Sequence, residues 1–235
     1  MITPENDILL EVRELKKYFS TPKGMLHAVD NVSFTIPRGK TLGVVGESGC
    51  GKSVLCKSLM KMLPGNARIK SGKILANGID ITGYKERDMA KLRGTLFSMV
   101  FQDPMTALNP TMTIGRQIEE AIKIHNPHIK RDALEKRVIE LMGLVGIDQA
   151  DERRNLYPYH FSGGMRQRSV LAIALAGNPS ILIADEKVFD LIPVKKEIKA
   201  EVSGLYIVGV KGIRGSLETK PAKKKGFFAR FKKEK

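Results

Sequence analysis

The chain of 235 residues predicts an α/β fold built around a parallel sheet, and three stretches carry that prediction. Thr41-Leu42-Gly43-Val44-Val45 is a short apolar, β-branched run followed by a glycine-rich turn and then by Leu55, Leu59 and Met62 at helical spacing. Ile181 to Ala184 is a second apolar run, closing on the adjacent carboxylates Asp185 and Glu186. Between them the pattern turns helical from Thr113, with Leu134, Val138, Leu141 and Val145 along one face of an amphipathic helix.

The other elements follow in chain order. Ile8 to Arg13 and Ala28 to Ile36 read as strands of an antiparallel layer. The helix from Lys52 to Leu63 meets its stop at Pro64-Gly65. Gly72 to Gly78 suggests an edge strand, and Leu96 to Phe101 a strand that delivers Gln102. Residues 103 to 161 form a helical subdomain, in which His125 and His128 flank the turn Asn126-Pro127 and are expected in solvent rather than on a metal. Ser162 is a suitable N-cap for a helix through Val170 to Ala176, ended by Gly177 with Pro179 beyond.

Between strand and helix, Gly46, Gly49 and Gly51 can take positive φ and let backbone N–H groups and the helix N-terminus converge on one spot, which suits a polyphosphate. In the segment Gly46-Glu47-Ser48-Gly49-Cys50-Gly51-Lys52-Ser53, Lys52 reaches the β- and γ-phosphates and Ser53 offers its hydroxyl to Mg²⁺. Asp185 and Glu186 fall at the carboxyl edge of the sheet, where open α/β folds bind ligands. Asp185 is suited to hold Mg²⁺ through water, and Glu186 to orient or deprotonate an attacking water. The capped, glycine-flanked start at Ser162-Gly163-Gly164 is a second anion site, which one γ-phosphate cannot easily share with the first.

Taken in order, these three motifs resemble those of ABC-type ATPases, over residues 8 to 186. Val100-Phe101-Gln102-Asp103-Pro104-Met105-Thr106-Ala107-Leu108-Asn109-Pro110 is similar to the glutamine loop of oligopeptide, dipeptide and nickel importers. Met165 with Arg166-Gln167-Arg168 is similar to the first of the two non-identical ATPase subunits such importers use. Thr111-Met112-Thr113-Ile114-Gly115 and Tyr157-Pro158-Tyr159-His160 fit the same group. The resemblance implies a P-loop NTPase with a RecA-like core, ATP and Mg²⁺ as cofactors, and hydrolysis that drives solute import through membrane permease subunits. It implies a head-to-tail pair with a second ATPase subunit, of the same or another kind, each ATP lying between one phosphate loop and the other subunit's Ser162-Gly163-Gly164-Met165 segment. A separate solute-binding protein delivers the cargo. Gln102 then contacts Mg²⁺ or the attacking water, and Phe19, or neighbouring Tyr18, stacks on adenine.

After Glu186 the resemblance stops. Such ATPases continue with Pro-Thr, a Ser/Thr-Ala-Leu-Asp turn and, about thirty residues later, a strand ending in His. This chain instead has Lys187-Val188-Phe189-Asp190-Leu191-Ile192-Pro193 and no histidine after His160. The departure predicts that ATP affinity survives better than turnover. Residues 187 to 219 form an atypical segment in which Val202 to Val210 has the propensity for a substitute strand.

Composition bounds the rest. The net charge is +15, of which +9 falls between Lys187 and Lys235, so the excess is a tail rather than a nucleic-acid-binding face, and no nucleic-acid partner is expected. Ser53 and Ser162 are only 109 positions apart, too close for the coiled-coil or zinc insertions of repair ATPases. Residues 220 to 235 carry eight Lys and Arg with Phe227, Phe228 and Phe231, the composition of a disordered tail or of a contact with anionic lipid. With no signal-like start and no membrane-length apolar run, the expected place is the cytoplasmic face of the membrane. Cys50 and Cys56 make no metal or disulfide pattern.

Overall fold

A computed structural model describes residues 7–47, 49–100, 104–185 and 204–209. Ser48, Gln102, Glu186 and the segments 187–203 and 210–235 lie outside the described residues, and with them the roles read for those positions. Two sheets form. In the first, β1 (Ile8–Thr21) and β2 (Gly24–Pro37) make a long antiparallel hairpin. β4 (Ala67–Ala76) pairs with the free side of β1, and the two-residue β5 (Ile79–Asp80) completes the order β2-β1-β4-β5. β4 therefore has a neighbour on both sides and is not the edge strand expected of Gly72 to Gly78.

β1 runs eight residues beyond Arg13, where its apolar alternation breaks. Glu14 sits there at φ 46° in a register shift, its N–H donating to Ser33 Oγ at 2.7 Å. A bulge absorbs the misfit and lets the strand continue.

The second sheet has the order β3-β8-β7-β6, from β3 (Thr41–Val45), β6 (Phe97–Val100), β7 (Ile181–Asp185) and β8 (Gly204–Gly209). β6 and β7 are parallel, whereas β8 is antiparallel to both β3 and β7. β3 and β7 thus run the same way, separated by one reversed strand. That strand lies within the stretch Val202 to Val210 whose propensity favours β structure.

The helices are α1 (Lys52–Leu59), α2 (Glu86–Leu92), α3 (Pro104–Ala107), α4 (Ile114–His125), α5 (Arg131–Leu144), α6 (Ala150–Arg153) and α7 (Gly163–Leu175). α1 stops four residues before Leu63, and Pro64-Gly65 plays no part in its end. Lys61 takes a left-handed φ of 51°, Met62 N–H returns to the Lys57 carbonyl at 2.9 Å, and Lys61 N–H to that of Ser58 at 3.2 Å. This is a Schellman turn built on a lysine instead of glycine. Lys61 Nζ donates to the carbonyls of Thr82 and Tyr84, and the Arg93 guanidinium donates to that of Met60, so tertiary hydrogen bonds hold the strained residue. Met62, expected on the apolar face, is consequently exposed.

Two apolar clusters fill the interior. One joins α4, α5 and α7 to Val100, Leu182 and Ala184; the other joins the antiparallel layer and α1 to Phe97, Ile181 and Ile183. β7 therefore faces a different core with each alternate residue, as a strand buried on both sides must. Leu134, Val138, Leu141 and Val145 are all buried in the helical cluster. His125 departs from its expected place in solvent. Its half-buried ring is wedged against Gly94 and Gly177, where a Cβ on either glycine would collide with it. His128 is exposed, and no cluster of metal-ligating side chains occurs among the described residues.

Leu141, fully buried in the helical cluster, and Ile124, 68% exposed, give a clean contrast. Urea denaturation should show Leu141→Ala destabilised by about 2–5 kcal/mol and Ile124→Ala changed by no more than about 0.5 kcal/mol.

Candidate phosphate-binding site

The turn between β3 and α1 is shaped by three glycines with positive φ: Gly46 at 154°, Gly49 at 86° and Gly51 at 98°. Packing adds a constraint at two of them, from a movable side chain at Gly46 and from backbone at Gly51. A Cβ on Gly46 would lie 2.7 Å from Cys50 Sγ, and one on Gly51 would strike the carbonyl oxygen of Ala28 on β2. The loop is thus seated directly on the antiparallel hairpin. Ala28 leaves no signal in the sequence, because it supports the loop through its backbone.

Gly51 is the N-cap of α1 and supplies no side-chain acceptor, and the first turn holds no acidic residue. The leading N–H groups of α1 are therefore free of side-chain caps, which is the condition for anion binding at a helix start. Lys52 Nζ bends back over the loop to donate to the Gly46 carbonyl and, at 2.7 Å, to that of Glu47, with Cys50 Sγ at 3.7 Å. Ser53, the second residue of α1, is exposed.

Strand register sets the level of the acidic end. Val44 is opposite Leu205, and Leu205 is opposite Asp185, so the three share one row across the sheet. β3 and β7 are two strand spacings apart, about 10 Å. Gly46 begins the loop two residues past Val44, at the same edge where β7 ends in Asp185. Gly43, Tyr206, Ala184 and Val100 form the next row, which brings the end of β6, just before Gln102, to this edge too. The residues present fit a polyphosphate: a turn of three positive-φ glycines, one of them pressed on the Ala28 carbonyl, an uncapped helix start, a lysine at its mouth and a carboxylate strand level with it.

The aromatic position is resolved in part. Tyr18 stacks on His27 with ring centroids 3.8 Å apart and planes at 2°, and its hydroxyl donates to Asp30 Oδ1 at 2.9 Å. Desolvation and the Asp30 hydrogen bond raise its phenol above the usual value. Phe19 is half-buried on the opposite face of β1 and pairs in register with Leu26, two residues from the Ala28 carbonyl beneath Gly51. Tyr18 is engaged by its cross-strand partners, and Phe19 has no ring contact of this kind among the described residues. His27 and Asp30 are not singled out by the sequence; cross-strand register reveals them.

At the other motif, Ser162 caps α7 through a 3.3 Å hydrogen bond from Met165 N–H to its Oγ. Gly163 and Gly164 are exposed, and a Cβ on either would point into open space. Met165 packs its side chain against the helical cluster and gives its N–H to the Ser162 cap, so the N–H groups of Gly163 and Gly164 are the ones at this helix start without a side-chain cap.

The site and its sheet define a P-loop nucleotide-binding domain. Residues 29–188 match the ABC transporter family, and the chain belongs to it. It is 50% identical over 178 residues to the dipeptide transport ATP-binding protein DppD of Lactococcus lactis subsp. cremoris, covering 76% of this chain and 51% of that one. It is 48% identical over 179 residues to the oligopeptide transport ATP-binding protein OppD of Bacillus subtilis, covering 76% and 50%. The chain spans about half the length of these curated relatives. Among solved structures it is similar to the dimeric, post-hydrolysis ATP-binding cassette MJ0796 bound to ADP and Pi, with TM-score 0.65 and 24% identity over 78% of this chain and 79% of that one, a likeness of fold. The cbiO1 subunit of the cbiONQ transporter complex of Clostridium perfringens gives TM-score 0.61 at 26% identity, over 77% and 66%.

Gly51→Ala should cost at least tenfold in MgATP affinity by calorimetry, since its Cβ meets backbone rather than a flexible side chain. Burial pushes the Cys56 thiol up to about 12, whereas Cys50 is exposed. Mass spectrometry after brief alkylation at pH 8 should find Cys50 modified and Cys56 untouched. Folding keeps the Cys56 thiol neutral, so its contribution to stability is complete below its ordinary value near 9 and is lost as pH rises toward about 12. The fall in stability above pH 9 should be shallower in Cys56→Ala.

Proposed function

We propose that the chain is the ATP-binding subunit of a peptide-type importer, coupling MgATP binding and hydrolysis to passage of peptides or similar small solutes through membrane permease subunits. The observation that carries this reading is that the strand leading into the Gly46 to Ser53 loop and the strand ending in Asp185 lie level at one sheet edge, about 10 Å apart. The printed names of the dipeptide and oligopeptide relatives support the cargo class.

In this reading Gly46, Glu47, Ser48, Gly49, Cys50 and Gly51 wrap the triphosphate with backbone N–H groups. Lys52 exchanges the carbonyls of Gly46 and Glu47 for β- and γ-phosphate oxygens, which are better acceptors for an ammonium. Ser53, Gln102 and Asp185 hold Mg²⁺, which when bound neutralises charge on the phosphates. Glu186 orients the attacking water, and Phe19 stacks on adenine while Tyr18 stays with His27. Gly163 and Gly164 offer their N–H groups to the nucleotide of a second ATPase subunit. No helix among the described residues is long and apolar enough to cross a membrane, in keeping with a peripheral subunit on the cytoplasmic side.

Phosphate release should depend on Lys52 and rise when a companion ATPase subunit and permease are supplied. Lys52→Ala should lower turnover by two orders of magnitude or more and weaken MgATP binding. Activity that survives Lys52→Ala would refute the assignment.

A further inference from the structure

The second sheet hangs on a strand the family match does not reach. That match ends at residue 188, yet β8 (Gly204–Gly209) lies inside the sheet, and β3 has no other strand neighbour among the described residues. All five residues of β3 and all five of β7 pair with β8. We propose that Gly204–Gly209 is a positioning strand of the nucleotide site, holding the phosphate-loop strand and the Asp185 strand in one register. The proposal rests on the reading of Gly46 to Ser53 as that site.

Three features support it. β8 contributes backbone on both sides, so its role depends on unbroken pairing more than on particular side chains. Its direction is opposite to both neighbours: Gly204 faces Val45, the residue before the loop, and Gly209 faces Ile181 at the far edge. β7 therefore ends with Asp185 at the same sheet edge where β8 begins with Gly204, as antiparallel neighbours do. Finally, a glycine at each end brackets the strand-forming run Leu205-Tyr206-Ile207-Val208, so propensity agrees with the observed limits.

Register makes the test specific. In the full chain carrying Cys50→Ser and Cys56→Ala, Leu42→Cys with Ile207→Cys unites direct cross-strand partners. Leu42→Cys with Gly204→Cys places the thiols three residues out of register, about 10 Å along the strand and beyond the roughly 7 Å between Cα atoms that a disulfide spans. Mild oxidation should link the first pair at least ten times more than the second; equal yields, or no link in the first, would overturn the strand assignment. Ile207→Pro in the full chain, which removes a ladder donor from a strand paired on both sides, should speed amide exchange in Thr41–Val45 and Ile181–Asp185 at least tenfold and weaken MgATP binding at least tenfold. Unchanged exchange and unchanged affinity in that variant would overturn the positioning role. Formation of the Leu42–Ile207 link in the double-cysteine chain, beside a chain of unaltered sequence that binds no MgATP by calorimetry, would instead refute the nucleotide reading.

Discussion

Backbone pairing across β3-β8-β7-β6 is the constraint on which the rest depends, because it sets the phosphate-loop strand and the acidic strand at one height. A shift of two residues along β8 would move Asp185 by about 7 Å relative to Val44 while leaving every side chain on its proper face. Apolar burial therefore does not uniquely select the register. The selection falls to the continuous ladder, which is why a six-residue strand in the middle of the sheet outweighs its size.

The two cores translate that register into a fixed loop. β7 directs Ile181 and Ile183 toward the antiparallel layer and α1, and Leu182 and Ala184 toward α4, α5 and α7. Its position is thereby set from both faces at once. On the layer side the constraint continues to the loop itself, since Gly51 rests on the Ala28 carbonyl and Leu55, Cys56 and Leu59 anchor α1 in the same cluster. On the helical side it extends to α7, whose start carries Ser162, Gly163 and Gly164. The phosphate loop and the second motif thus belong to different cores that meet at β6 and β7.

Much of this is legible in residue order. Periodicity of 3.6 marks the buried face of α5, two apolar runs mark β3 and β7, and the cap at Ser162 marks the start of α7. What sequence conceals is carried by backbone and by partners distant along the chain. The end of α1 depends on Lys61 finding the carbonyls of Thr82 and Tyr84, which overrides the stop signal at Pro64-Gly65. Lys17, a residue type expected in water, is buried on β1, where desolvation and the charge of Lys61 push its ammonium below the usual range. The propensity of residues 202 to 210 identifies a strand but contains nothing about its direction or its neighbours. At the site, the loop residues are legible because their chemistry is local, while the engagement of Tyr18 by His27 and Asp30 arises from cross-strand register that residue order conceals.

The two helix starts differ in a way that bears on how binding energy arises. α7 is capped by its own Ser162 hydroxyl, so it can present Gly163 and Gly164 to solvent at little cost. α1 has no such cap, and its first residue is Lys52, a cation at the positive end of the helix dipole, with no acidic residue in the turn to offset it. That placement is unfavourable by about 0.3–1 kcal/mol. The hydrogen bonds from Lys52 to Gly46 and Glu47 carbonyls relieve it only in part, since neutral acceptors answer a full charge less well than anionic ones. A polyphosphate would relieve the dipole, the uncapped N–H groups and the lysine together. The loop therefore carries its own electrostatic mismatch, and that mismatch is a source of affinity independent of any contact to the base.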